Sequence, residues 1–170
     1  MIQIFQITTV PGAPRLRLAR PDSYGPRFLR FDGEEKGAYS PHQEFDVVAD
    51  PCEGVYQFYD FAPGVLAGPV EGLCECSHML YATGGNERLA LLADGVPFTA
   101  INPIDFFPAL EDGPVPWPEG FFAPVFRLRD QDPLDLFCVS GLVHPMDDFK
   151  KVYDHYEFKG LRFEEFWRSG

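Results

Sequence analysis

The stretch that decides the fold is PMDDFKKVYDHYEFKGLRFEEFW, Pro145–Trp167. Met146, Phe149, Val152, Tyr153 and Tyr156 fall at i, i+3, i+6, i+7 and i+10, one apolar stripe at helical spacing. The pattern predicts a helix over 145–158, with Asp147 and Asp148 in a first turn where the helix dipole favours negative charge. Lys159-Gly160 supply a basic last turn and a glycine that accepts the left-handed conformation in which helices stop. Leu161–Trp167 then reads as a strand. Upstream, Pro124–Leu128 and Leu134–Val139 are also strand-like. Strand, strand, helix, strand is an α+β order.

Working outward, Met1–Val10 (MIQIFQITTV) has no basic leader region and predicts a strand rather than a signal peptide. Ile2 and Ile4, then Leu16 and Leu18, predict two strands about the turn Pro11-Gly12. Residues 20–44 are dense in Arg, Gly, Pro and charge and predict a long loop with one short strand at Phe28–Phe31. Gly54–Phe61 (GVYQFYDF) predicts an aromatic strand, with a short helical segment as the alternative. Cys74–Leu80 and Leu89–Ala93 follow, split by a hairpin turn at Thr83-Gly84-Gly85-Asn86. Residues 96–102 predict a further strand. Asn102 as N-cap and Pro103 at the first helical position then predict a short helix burying Ile104, Phe107 and Leu110. Pro-Val-Pro-Trp-Pro at 114–118 is a stiff connector. There is no internal repeat. The expectation is one α+β domain over 1–170, with mixed or antiparallel sheets of short strands, few helices and one clear helix near the C-terminus.

Composition narrows the function classes. Of 170 residues 45% are apolar, with 17 Phe, which is too much for a disordered chain; 16 Gly and 17 Pro predict many turns instead. No stretch is apolar enough for a membrane span. The net charge of −12 is unevenly placed: residues 37–126 hold thirteen acidic groups and a single basic one, Arg88. That field repels phosphate backbones and anionic bilayers, so neither nucleic acid nor membrane is an expected partner. It favours steered capture of a basic protein, although acidic cytosolic solubility alone also accounts for it. The four cysteines, Cys52, Cys74, Cys76 and Cys138, make a poor disulfide framework and suit buried free thiols in a cytoplasmic protein.

Cys74, Cys76 and His78 form the one cluster with metal-like chemistry. On a strand they share a face, but with spacings of about 6.6–7 Å they sit too far apart for adjacent zinc ligands. A fourth ligand would have to come from Cys52, His42 or Cys138, and the cluster reads better as core. Phosphate loops, HExxH and GxSxG are absent from the sequence. Asp130, Asp132 and Asp135 lack the central Gly and terminal Glu of a calcium loop. Glu111/Asp112 and Asp147/Asp148 are sequence neighbours that point different ways, and no acid–base pair is expected from them.

Several segments carry a resemblance. Phe98–Asp105 (FTAINPID) looks like an aromatic strand ending Asn-x-x-Asp, and Pro124–Leu128 with Leu136–Val139 looks like a pair of "F-x-L" and "L-F-x" strands. Asp148-Phe149-Lys150 opens the helix and Phe158–Glu165 contains a closing "G-L-x-F" strand. Over residues 89–167 the chain resembles the immunity proteins of bacterial polymorphic toxin systems, in the subgroup first catalogued from myxobacteria as a domain of unknown function. The recognisable α+β portion extends from 89 to 170. The resemblance implies a small protein that binds and blocks a cognate toxin, with no catalysis, no cofactor and no catalytic residues. The partner-binding residues expected from the acidic middle are Glu44, Asp46, Asp50, Glu53 and Asp60, which steer, and Tyr56 and Tyr59, which anchor. The rival readings are a small metal-binding protein or enzyme built on Cys74, Cys76 and His78, and a self-associating subunit with an aromatic homo-oligomer face.

Overall fold

The computed structural model describes residues 1–19, 29–35, 46–49, 54–73, 85–107, 124–141 and 148–170. Within these the chain runs β1 (Gln3–Thr9), β2 (Leu16–Leu18), β3 (Asp46–Ala49), β4 (Leu66–Pro69), a helical turn α1 over 70–73, β5 (Asn86–Ala93), β6 (Val96–Pro103), β7 (Phe106–Phe107), β8 (Arg127–Leu128), β9 (Leu136–Ser140), α2 (Phe149–His155) and β10 (Leu161–Arg168). This is the expected α+β architecture of mostly antiparallel sheets with few helices. Among the described residues three sheets form: β10-β1-β9, β2-β3-β5-β6-β4 and the short pair β7-β8.

The first sheet joins the two ends of the chain. β1 lies between β10 and β9, antiparallel to both, with Ile7 opposite Phe163 on one side and Leu136 on the other. Strict alternation puts Phe5, Ile7, Leu136, Cys138 and Leu161 on one face, and α2 covers them with Phe149, Val152 and Tyr153. Phe58 sits at 0% exposure in this cluster, its ring edge-on to Phe149 and Phe158 and tilted against Tyr153. The Tyr153 hydroxyl satisfies its own burial: it donates to the Leu161 carbonyl at 3.2 Å and accepts from the Leu161 N–H at 3.0 Å.

Helix α2 is shorter than its apolar stripe. Asp148 is the N-cap and not a first-turn residue: its carboxylate accepts from the Lys151 N–H, the Gly141 N–H and the Ser140 hydroxyl. One buried side chain thus starts the helix and fastens it to the end of β9. The helix stops at Tyr156, with Glu157 in the left-handed region, so Gly160 is not its terminating residue.

In the five-stranded sheet, β5 and β6 form a hairpin closed by Asp94-Gly95, both at positive φ. Two such residues between paired strands are the tight turn whose twist matches a hairpin. Leu89, Leu91, Phe98 and Ala100 face a second core with Leu16, Phe31 and Ala67. On the other face Leu66 and Ile101, paired across β4 and β6, enter the first core, so that corner of the sheet backs onto the first sheet. β1 and β2 do not pair: the Pro11-Gly12 turn carries the chain from one sheet to the other.

Several expectations are corrected. The helix expected from Asn102 does not form; β6 continues to Pro103, and Phe106–Phe107 is a strand parallel to β8. Asn102 is fully buried and donates to the Glu34 carbonyl and the Glu87 carboxylate, so its amide holds strands together and caps nothing. Gly54–Phe61 is irregular, with isolated bridges at Tyr59–Ala67 and Asp60–Arg15. Leu29–Phe31 is not a strand, and the strand expected over Pro124–Leu128 is reduced to β8 plus one bridge from Phe126 to Phe137. Residues 20–28, 36–45, 50–53, 74–84, 108–123 and 142–147 lie outside the described residues, and with them the expected turn at Thr83-Gly84 and the 114–118 connector.

Candidate functional site

Of the residues expected to meet a partner, Glu44, Asp50 and Glu53 lie outside the described residues, as do Cys52, Cys74, Cys76 and His78. Asp46 opens β3, paired in register with Leu92 of β5. Tyr59 turns inward, its ring edge-on to Phe98 at 5.1 Å, and Tyr56 is half-buried. These two tyrosines therefore do not form an exposed anchor pair. Asp60 is the exception. It stands at the mouth of a cleft of about 430 Å³ where the two large sheets meet.

That cleft is lined by the end of β1 and its turn (Ile7 to Ala13), by Arg15 and Asp60, by 62–66, by Leu134 to Leu136 and by Leu161. Its walls mix apolar side chains, from Ile7, Val65, Leu66, Leu136 and Leu161, with comparable polar surface that includes Thr8 and Thr9, and its charged groups are Arg15, Asp60 and Asp135. Backbone bonds fix the lip: the Leu16 N–H donates to the Asp60 carbonyl and the Asp60 N–H donates to the Pro14 carbonyl, both at 2.8 Å. The Arg15 Nε donates to Asp60 Oδ2 at 2.8 Å, with the two side chains 61% and 37% exposed. Asp135 is half-buried and forms no ion pair among the described residues. The loop that carries it is shaped by Asp132, whose carboxylate accepts from the Leu134 N–H and whose carbonyl accepts from the Asp135 N–H. The aspartates at 130–135 thus build a turn.

The most perturbed cation of the described residues is Arg127, which pattern reading missed. It is fully buried, and burial pushes its guanidinium down to about 10, against the pull of nearby Asp32. Its Nε donates to the Pro103 carbonyl at 2.8 Å; one Nη donates to the Pro133 carbonyl, and the other to the Gly64 carbonyl at 2.6 Å and Asn102 Oδ1 at 3.0 Å. Three segments, the end of β6, the 133 loop and the turn at Gly64, are pinned by one side chain. Gly64 itself has φ +80, and a Cβ there would lie 2.0 Å from the Phe31 carbonyl oxygen, so only glycine fits beside the clamp. Four of the five N–H groups of Arg127 are directed at backbone or amide oxygen, which makes it a structural clamp on the cleft's 62–66 and 133–136 walls.

Cys138 is buried and free, and burial, with Asp148 adding to it, pushes its thiol well above the usual range. A thiol so held packs as an apolar side chain and is no nucleophile. Among the described residues no group of three His, Cys, Asp or Glu is placed to hold a metal ion, and no helix is long and apolar enough to cross a membrane. No protein-family model matches the chain, and a search of curated proteins returns no match.

Proposed function

We propose that this chain is a non-catalytic binding protein of the immunity type, which captures and neutralises a cognate basic toxin domain in the cytoplasm. The observation that carries the reading is the charge distribution: thirteen acidic groups against one basic over residues 37–126. Such a surface raises the encounter rate with a positively charged protein and rejects nucleic acid. Glu71 and Asp94 are exposed on this part of the chain, where they add to that field. The resemblance of residues 89–167 to immunity proteins supports the same function.

The test is co-purification with the product of the adjacent upstream gene, at low and at high salt. A stable complex that salt weakens is expected, since exposed charges are screened within a Debye length of about 8 Å at physiological ionic strength. Failure to co-purify at either salt overturns the reading.

A further inference from the structure

We infer that the cleft between the two large sheets is the anchor pocket for an arginine side chain of the basic partner, and that Arg15 is the latch which fills its acidic lip until the partner arrives. The inference rests on the immunity-type reading above and deepens it. A cleft of about 430 Å³ is of the size that takes one small ligand or a side chain rather than a whole segment of chain. Its walls of Ile7, Val65, Leu66 and Leu136 suit an aliphatic stem, which a long basic side chain buries while its head stays wet.

The charges choose the head. Two carboxylates, Asp60 and Asp135, and one cation, Arg15, line the cleft. The Arg15–Asp60 pair leaves Asp135 with no ion pair among the described residues, so the cleft keeps one negative charge to offer. Arg15 is largely exposed and held by a half-exposed ion pair, an interaction weak enough to exchange. A guanidinium is preferred over an ammonium because it is less strongly hydrated and presents several donors in one plane. An incoming arginine takes Asp135, then competes with Arg15 for Asp60.

The probe is Nα-acetyl-arginine amide, titrated into the isotope-labelled full chain and followed by amide chemical shifts. Expected are shifts confined to Thr8–Ala13, 60–66 and 134–136. Asp135→Asn weakens the probe by about three-fold, and Asp60→Asn with Asp135→Asn by about ten-fold. Arg15→Gln, at an exposed position that leaves the fold intact, tightens the probe by about three-fold, because it removes the competing cation. Nα-acetyl-leucine amide shifting the same amides equally would overturn the inference, and so would an Arg15→Gln variant that binds no tighter. In the complex with the co-purified partner, the double Asn variant should dissociate at lower salt. A complex indifferent to that variant removes the anchor while leaving the immunity reading standing; a probe that binds where no partner co-purifies does the reverse.

Discussion

The two large sheets are secured by different chemistry. The sheet that joins the chain ends is closed by rings: Phe58, Phe149, Tyr153, Phe158 and Phe163 pack edge-on and tilted under one short helix. The five-stranded sheet has an apolar core too, but its junction with β7–β8 and the cleft walls is tied by the bonds of one guanidinium, Arg127. An aromatic cluster loses stability gradually as methylenes are trimmed, because neighbours relax into part of the space. A buried clamp fails abruptly, since removal of one partner strands every acceptor it served. The difference teaches where the molecule is brittle.

The largest expected effect follows from that contrast. Arg127→Ala should cost about 4 kcal/mol, through the unpaired Pro103, Pro133 and Gly64 carbonyls and the lost support for Asn102. Arg127→Lys should recover little of it, because one ammonium cannot serve four acceptors spread over three segments. Urea unfolding of the full chain measures both. Phe58→Ala should cost about 3 kcal/mol on the same assay. Were the ring truncation the costlier of the two, the contrast between the sheets would collapse.

What the sequence made legible divides along the same line. The α2–β10 end could be read because its information is periodic: one apolar stripe at helical spacing, then a run of alternating residues. The β6 strand was readable for its apolar content, but its end was not. Asn102-Pro103 has the local chemistry of a helix start, and tertiary context overrode it when the amide found Glu34, Glu87 and Arg127. Nothing local marks Arg127 as buried, since an arginine in a strand ordinarily points to water. One signal was available and unused: Asp94-Gly95 between apolar runs is a strong short-range sign of a hairpin. Of the candidate site, only Asp60 was legible. The cleft it borders needs β1, the 134–136 loop and Leu161, which are distant in sequence and meet only in the fold.

A finer comparison lies inside the aromatic cluster, between ring and hydroxyl. Tyr153→Phe keeps the ring against Phe58 and Phe163 but leaves the buried Leu161 N–H and carbonyl without the hydroxyl that bonds both. A loss of about 1–2 kcal/mol is expected in urea unfolding, well below that of Phe58→Ala. A loss near zero would mean that Leu161 re-pairs elsewhere, and that the cluster holds by rings alone.

The smallest expected effect is at the open end of β10. Ile4 pairs with Trp167 but Phe5 pairs with Glu165, so Phe166 is the additional residue of a β-bulge. The bulge breaks the alternation that the sequence suggests. Phe166 lies against Phe137 at 5.0 Å while Trp167 packs on the cluster around Ile4, which brings two consecutive rings to one side. Phe166 nevertheless remains 41% exposed, so much of its apolar area never leaves water. Phe166→Ser should therefore cost about 1 kcal/mol or less, in proportion to the area it buries on Phe137. The companion change Trp167→Ser should cost more, although both rings are on the same face, because Trp167 packs more deeply into its cluster. Equal costs would indicate that the bulge exchanges the two rings, with either one able to occupy the place above Ile4. In that event β10 would be the adaptable edge of a sheet whose other face is fixed by α2.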